Sequence, residues 1–247
     1  MSVALDLTLV LPCYNEHPVF TNSVQEIFKT LDLTTFAYEI IFVDDGSRDD
    51  TRALIDALLA QRPDKNLTRI FHAQNQGRGG TVADGIRAAR GDVVGYIDID
   101  LEVHARYIPS LAQAIREGAD IAIGQRNYLF QPRSLDRWIL SKGYHQLAKR
   151  MLGMNIFWDT ESGYKFFKRA RILPLLDEIE DQRWFWDTEV MVRAALRGYT
   201  IVEIPVLFLR NYGKQSSVNA LRDTLDYLKR LRAFRATVKQ LQAQTKV

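Results

Sequence analysis

The chain has 247 residues, 47% of them hydrophobic and 26% charged, with a formal net charge of +3. This is ordinary globular composition with room for a sizeable core, and the charge is too small to argue for nucleic acid as a partner. One cysteine, Cys13, excludes an intramolecular disulfide and points to a reducing, cytoplasmic setting, and no run approaches the ~18 apolar residues of a membrane span. The N-terminus is not basic and its apolar run is broken by Pro12, so the expectation is no signal peptide and a soluble or peripheral protein.

In chain order, residues 7–11 form the first, apolar strand candidate. Residues 19–31 carry apolar side chains at helical spacing, and residues 39–43 are a second strand. A helix over 49–59 has Ser47 or Asp49 as its N-cap, and residues 67–71 are a third strand. A helix over 79–89 opens on glycine. Residues 93–97 form a fourth strand, 107–115 a helix and 121–124 a fifth short strand. Apolar strands alternating with helices predict an α/β fold with a mostly parallel sheet covered on both faces. The second half is less regular. Residues 125–136 are predicted to be a mobile loop and 135–152 a basic amphipathic helix. Residues 162–168 read as a strand, 188–196 as a helix ending at Gly198, and 200–204 as a strand. The C-terminus, 218–241, is one helix with a stripe of Leu221, Leu225, Leu228, Leu231 and Phe234 opposite Arg222, Lys229, Arg230, Arg232, Arg235 and Lys239. The expected division is a catalytic domain over 1–212 and a basic amphipathic helix over 213–247, packed on the core, on a second subunit or on a membrane.

Chemistry concentrates where the strands end. The strand 93–97 runs into Asp98, Asp100 and Glu102, and alternate residues of an extended chain point the same way. Clustered carboxylates at that edge suit Mg2+ or Mn2+, which usually carries phosphates as further ligands. The loops after the first three strands hold Tyr14-Asn15-Glu16, Asp44-Asp45-Gly46-Ser47 and Gly77-Arg78-Gly79-Gly80, and a parallel sheet gathers them on the same edge. A glycine-rich loop opening a helix offers N–H groups to a pyrophosphate, Arg78 adds a cation, and a buried carboxylate accepts from nucleobase N–H groups. Neither a dinucleotide-binding glycine pattern nor a P-loop is present.

LPCYNE from Leu11, FVDDGSRDDT from Phe42, NQGRGG from Asn75 and YIDIDLE from Tyr96 resemble the ordered motifs of glycosyltransferase family 2, inverting enzymes of GT-A fold that use nucleotide-sugars. The stretch from Asp159 to Lys165 is similar to a motif of dolichol-phosphate mannose synthases and bacterial polyprenyl-phosphate sugar transferases, as is residues 198–205 with Arg210 and Lys214 beyond. The resemblance implies that Pro12, Tyr14, Glu16, Val43 and Asp45 hold the nucleoside, with Gly77, Arg78 and Ile99 also lining the nucleotide-sugar. It implies that Asp98 and Asp100 hold metal and diphosphate, with Glu102 standing where that subfamily has glutamine and Lys165 where it has arginine.

A lipid phosphate acceptor needs cations rather than a base, and Arg126, Arg133, Lys165, Arg210 and Lys214, with Ser162, are the candidates. A saccharide hydroxyl needs a general base, for which Asp187 and Glu189 are candidates. The catalytic set is therefore Asp100, Arg126, Lys165, Asp187 and Glu189. Trp138, Trp184, Phe185 and Trp186 border a lipid or fill the core. The expectation is hexose transfer from a GDP- or UDP-sugar to a polyprenyl phosphate by a peripheral protein at the inner membrane face, alone, as a homodimer or with a membrane partner protein. Transfer to a saccharide hydroxyl and non-catalytic nucleotide-sugar binding stay open as alternatives.

Overall fold

The computed structural model describes residues 4–128, 152, 159–209 and 220–244. Seven strands form one sheet: β1 (Leu7–Cys13), β2 (Tyr38–Asp44), β3 (Leu67–Phe71), β4 (Val93–Ile97), β5 (Ile121–Tyr128), β6 (Tyr164–Lys168) and β7 (Ile201–Phe208), in the order β3-β2-β1-β4-β6-β5-β7. β1 pairs in parallel with β2 and β4, β2 with β3, and β5 with β7, whereas β6 runs antiparallel between β4 and β5. The helices described are α1 (His17–Asp32), α2 (Thr51–Gln61), α3 (Arg78–Ala88), α4 (Ile108–Arg116), α5 (Arg169–Leu176), α6 (Trp186–Leu196) and α7 (Ala220–Gln244).

The alternation of each central strand sorts its side chains onto two faces. Leu9, Leu11, Ile40 and Phe42 join Phe20 and Ile27 of α1 and Leu111 of α4 on one face. Val10, Ile41 and Val43 join Val82 and Ile86 of α3, Leu175 of α5 and Val190 of α6 on the other. Each such side chain, fully buried, contributes roughly 1.5–3 kcal/mol. Thr8 departs from the apolar reading of β1: it is buried and donates to Glu39 (2.7 Å), which also takes Arg90 Nε (2.8 Å). This polar clamp closes the sheet edge opposite the motif loops.

Several boundaries move for physical reasons. α2 starts at Thr51, and Asp49 accepts its N–H at 3.0 Å. β5 runs on through 125–128, read from sequence as loop, because these residues pair with 205–208 of β7; the rest of that loop and the helix over 135–152, Leu152 aside, lie outside the described residues. β7 passes through Pro205, which is tolerated because β7 is an edge strand. α5 was not anticipated; Pro174 inside it disguises the helical spacing of Ile172, Leu175 and Leu176.

Within the described side chains of α7, Leu231 and Phe234 of the stripe face the protein. Leu231, Phe234 and Val238 are buried against Phe185 and Val192, Tyr227 meets Phe185, and Arg230 pairs with Asp181. Lys229, Arg232, Arg235 and Lys239 remain exposed. No helix among the described residues is long and apolar enough to cross a membrane.

Candidate functional site

The loops after β1, β2, β3 and β4 meet at the carboxyl edge of the sheet, as the motif order predicts. The first two are stitched together: Asn15 N–H donates to Ser47 Oγ (2.9 Å), Asn15 Oδ1 accepts from Arg48 N–H (2.8 Å), and Glu16 N–H donates to Thr51 Oγ1 (2.8 Å). Asn15 takes φ of 57°, a left-handed conformation that asparagine tolerates. Pro12 and Tyr14 are partly exposed beside this seam and Glu16 is buried in it. The side chains of Val43 and Ile99 are packed in the two cores, which leaves their main chain to face the edge.

Asp45 and the glycine-rich loop turn on each other. The buried carboxylate of Asp45 accepts from the N–H groups of Gln76 (2.8 Å) and Gly77 (2.9 Å) and meets His72 Nδ1 at 2.9 Å. Gly80 N–H donates to Gln182 O (2.9 Å). Two of the amides read from sequence as pyrophosphate donors therefore shape the loop instead. Gly77 has φ of 105°, and a Cβ there would lie 2.6 Å from Gln182 O, so glycine is required twice over.

The acid run after β4 is a turn. β4 ends at Ile97, Leu101 N–H donates to Asp98 O (3.2 Å), Leu101 takes φ of 51°, and Glu102 N–H donates to Asp100 Oδ1 (3.3 Å). The alternation that would align three carboxylates stops at the strand's end, and the Glu102 carbonyl is fixed by Leu209 N–H (2.7 Å). Among the described residues, no three His, Cys, Asp or Glu side chains gather as a metal set. Asp98 and Asp100 nonetheless fit Mg2+ or Mn2+ as a two-carboxylate mount: both are hard oxygen donors, partly exposed on one short turn, and such ions keep waters and phosphates as their other ligands.

Behind that turn lies a buried charge network. Arg78 donates through Nε (3.1 Å) and Nη2 (2.8 Å) to Asp98 and through Nη1 to Asp187. Asp187, buried in the first turn of α6, also accepts from Tyr96 OH and from Lys165 Nζ at 2.6 Å. Lys165 is 0% exposed on β6 and spends its other donors on Thr160 O (3.0 Å) and Ser162 O. Burial opposes ionisation of Asp187, but Arg78 and Lys165 outweigh it and hold the carboxyl below its ordinary value. Burial lowers the Lys165 ammonium against the pull of Asp187, and raises the Tyr96 hydroxyl well above its ordinary value. Gly163 admits this packing, since a Cβ would lie 1.8 Å from Asp98 Oδ2.

The remaining candidates are engaged too. Glu189 is buried and accepts from the N–H groups of Glu180 (3.2 Å) and Asp181 (2.9 Å) and from Arg193 Nε (2.8 Å). Ser162 is buried and donates to Gly124 O (2.7 Å). Arg126 forks onto Asp159 at 2.7 and 2.8 Å, 3.9 Å from Glu161. Burial opposes Asp159, yet Arg126 holds it below the usual carboxylate range; burial raises Glu161. Phe185 and Trp186 are core residues, and Trp184 is exposed above Arg78. Trp138, Arg133, Arg210 and Lys214 lie outside the described residues. Two contributors escaped the sequence reading. Tyr96 sits in an apolar strand, where a buried hydroxyl by itself calls for a partner. His72, buried directly after β3, braces Asp45.

A family model described as Glycosyl transferase family 2 matches residues 8–172. The chain is 34% identical over 213 residues to glycosyltransferase AglD of Haloferax volcanii, covering 83% of this chain and 33% of that protein. It is 28% identical over 214 residues to the dolichyl-phosphate beta-glucosyltransferase of Dictyostelium discoideum, covering 81% and 65%. The chain thus spans about a third of the first relative and just under two thirds of the second. Among solved structures it resembles glucosyl-3-phosphoglycerate synthase of Mycobacterium tuberculosis with Mn2+, UDP and glucosyl-3-phosphoglycerate (TM-score 0.62, 18% identity, 96% of this chain and 80% of that one). It also resembles mannosyltransferase PcManGT of Pyrobaculum calidifontis with GDP-Man and Mn2+ (TM-score 0.57, 18% identity, 98% and 74%). These likenesses bear out the α/β, GT-A type fold.

Proposed function

The chain belongs to glycosyltransferase family 2, and from that premise we propose that it moves a hexose, glucose first among those to test, from a UDP- or GDP-sugar to a polyprenyl phosphate. The observation that carries the choice of acceptor is the state of Asp187 and Glu189. Each is buried and filled by three or more donors, so neither is free to take a proton from an incoming hydroxyl. A phosphate monoester, with a second pKa of about 6, is mostly dianionic at neutral pH and needs no base. The relatives named as dolichyl-phosphate glucosyltransferases support the same acceptor class.

In this reading the transfer is one displacement with inversion. An acceptor phosphate oxygen forms the new bond to the anomeric carbon as the bond to the nucleoside diphosphate breaks, and that diphosphate leaves with the electron pair. Pro12, Tyr14, Glu16 and Asp45, with the main chain at Val43 and Ile99, line the nucleoside side, and Gly77 and Arg78 line the diphosphate side. Asp98 and Asp100 would hold Mg2+ or Mn2+, which when bound neutralises charge on the leaving diphosphate. Arg133, Arg210 and Lys214 attract the acceptor phosphate, while Arg126 stays forked onto Asp159. Ser162, Lys165, Asp187 and Glu189 hold the scaffold rigid behind them. The exposed Lys229, Arg232, Arg235 and Lys239 of α7 face an anionic membrane surface at the cytoplasmic side, where the lipid acceptor resides.

The test offers radiolabelled UDP-glucose, GDP-mannose and related donors with either a polyprenyl phosphate in detergent or soluble saccharides, and follows label into the lipid phase. Label is expected in the lipid phase, and Asp100→Asn is expected to lower transfer at least a hundredfold. Transfer to saccharides alone, or full activity of the variant, overturns the assignment.

A further inference from the structure

Arg78 occupies an unusual position between two carboxylates of different exposure. Asp187 is buried, while the side chain of Asp98 is 47% exposed at the sheet edge. Among the described residues, Asp98 takes side-chain hydrogen bonds from Arg78 alone, through Nε and Nη2. Asp187 keeps Tyr96 and Lys165 as well. The guanidinium also lies over the Tyr96 ring (5.3 Å) and the Trp184 ring (5.8 Å), which fixes its plane. Its Asp187 end is thus buried and multiply held, and at its other end Asp98 reaches the exposed sheet edge.

We propose that Arg78 is an internal counter-ion of Asp98 that yields this carboxylate to a divalent cation only as a nucleotide diphosphate arrives to take the freed Nε/Nη2 edge. The inference rests on the metal and nucleotide roles proposed above. A cation alone meets a carboxylate whose charge Arg78 already neutralises through Oδ1, and a diphosphate alone meets a guanidinium already engaged. Together they exchange partners without leaving any charge unpaired. Metal and nucleotide therefore bind with positive coupling, and each strengthens the other by the same factor. Arg78 is a positioning residue in this scheme, and the signature is in binding rather than turnover.

The test measures Mn2+ affinity by electron paramagnetic resonance without nucleotide, with UDP and with GDP, for the wild type, Arg78→Gln and Arg78→Lys. In the wild type, one of the two nucleotides is expected to tighten Mn2+ by about fivefold or more, the lower end of typical allosteric coupling. Arg78→Gln is expected to bind Mn2+ severalfold tighter than wild type without nucleotide and to lose most of the coupling. Arg78→Lys keeps the charge beside Asp187 but not the fork, so its coupling is expected to be intermediate. It also carries the test if the glutamine variant does not fold by circular dichroism. Nucleotide-free affinity that is unchanged or weaker in Arg78→Gln, or coupling in Arg78→Lys equal to wild type, overturns the proposal while leaving the functional reading intact. A wild type that binds no Mn2+ with either nucleotide overturns both.

Discussion

The loop around Asp45 and the network around Asp187 hold their buried acids differently. After β2, the carboxylate of Asp45 accepts from the neutral N–H groups of Gln76 and Gly77, beside His72. On the β6-β5-β7 side and in α6 beside it, charges neutralise charges: Lys165 with Asp187, Arg126 with Asp159 and Arg193 with Glu189. The contrast teaches that a charged residue at a motif position is not thereby a substrate contact. Where strands are covered on both faces, an inward lysine or arginine brings its counter-ion with it. Such pairs are expensive to break and poor at meeting a ligand.

The sharpest way to break this contrast is Asp187→Ala. It strands Lys165 and Arg78 and is expected to cost about 3–5 kcal/mol in urea unfolding; a cost below about 1 kcal/mol would mean these residues relax to solvent and the network is not charge-locked. Next, we propose that α7 belongs to the same folded body. Phe234→Ala, which opens the cluster with Phe185 and Val192, is then expected to cost about 3 kcal/mol. A change confined to local helix content, with the global transition unmoved, would separate it. Asp45→Asn keeps one acceptor for the loop amides and is expected to cost only about 1–2 kcal/mol while weakening nucleotide binding in a thermal-shift titration. An effect as large as that of Asp187→Ala would erase the distinction between the two sites.

The smallest expected effect is on pH. Asp187 and Asp159 sit below their ordinary value of 3.8 when folded, so the folded protein binds fewer protons than the unfolded chain. Their stabilisation is complete above that ordinary value and is lost as pH falls through the lower folded value. Melting temperature is expected to drop steeply below pH 4, and Asp159→Asn is expected to flatten the drop.

Much of this was legible beforehand because the first half obeys local rules. The unbroken apolar runs of β1 and β2, buried along nearly their whole length, and the helical spacing in α1 place four motif loops on one edge. What escaped was long-range. The direction of Lys165 depends on β6 lying between β4 and β5, which no local pattern encodes. The three-carboxylate alignment failed because extended geometry ends at Ile97, one residue before the first acid. Pro174 obscures the helical spacing of α5, and Pro205 lies beyond the strand read over 200–204.

The placement of β6 has a consequence for how the chain reaches this state. β4 and β5 are separated in sequence by one helix, yet they cannot pair, because the strand that joins them arrives some forty residues after β5 begins. During synthesis the β3-β2-β1-β4 unit has its parallel pairings available early, while β4 presents an unpaired edge until residues 164–168 emerge. Insertion of β6 is a long-range, loop-closing event that joins β4 to β5, after which Asp187 closes the pair with Lys165 and β7 adds at the edge, and it is the natural slow phase of folding. A chain interrupted before Lys168 keeps that edge open, and aggregation through β4 is its expected fate.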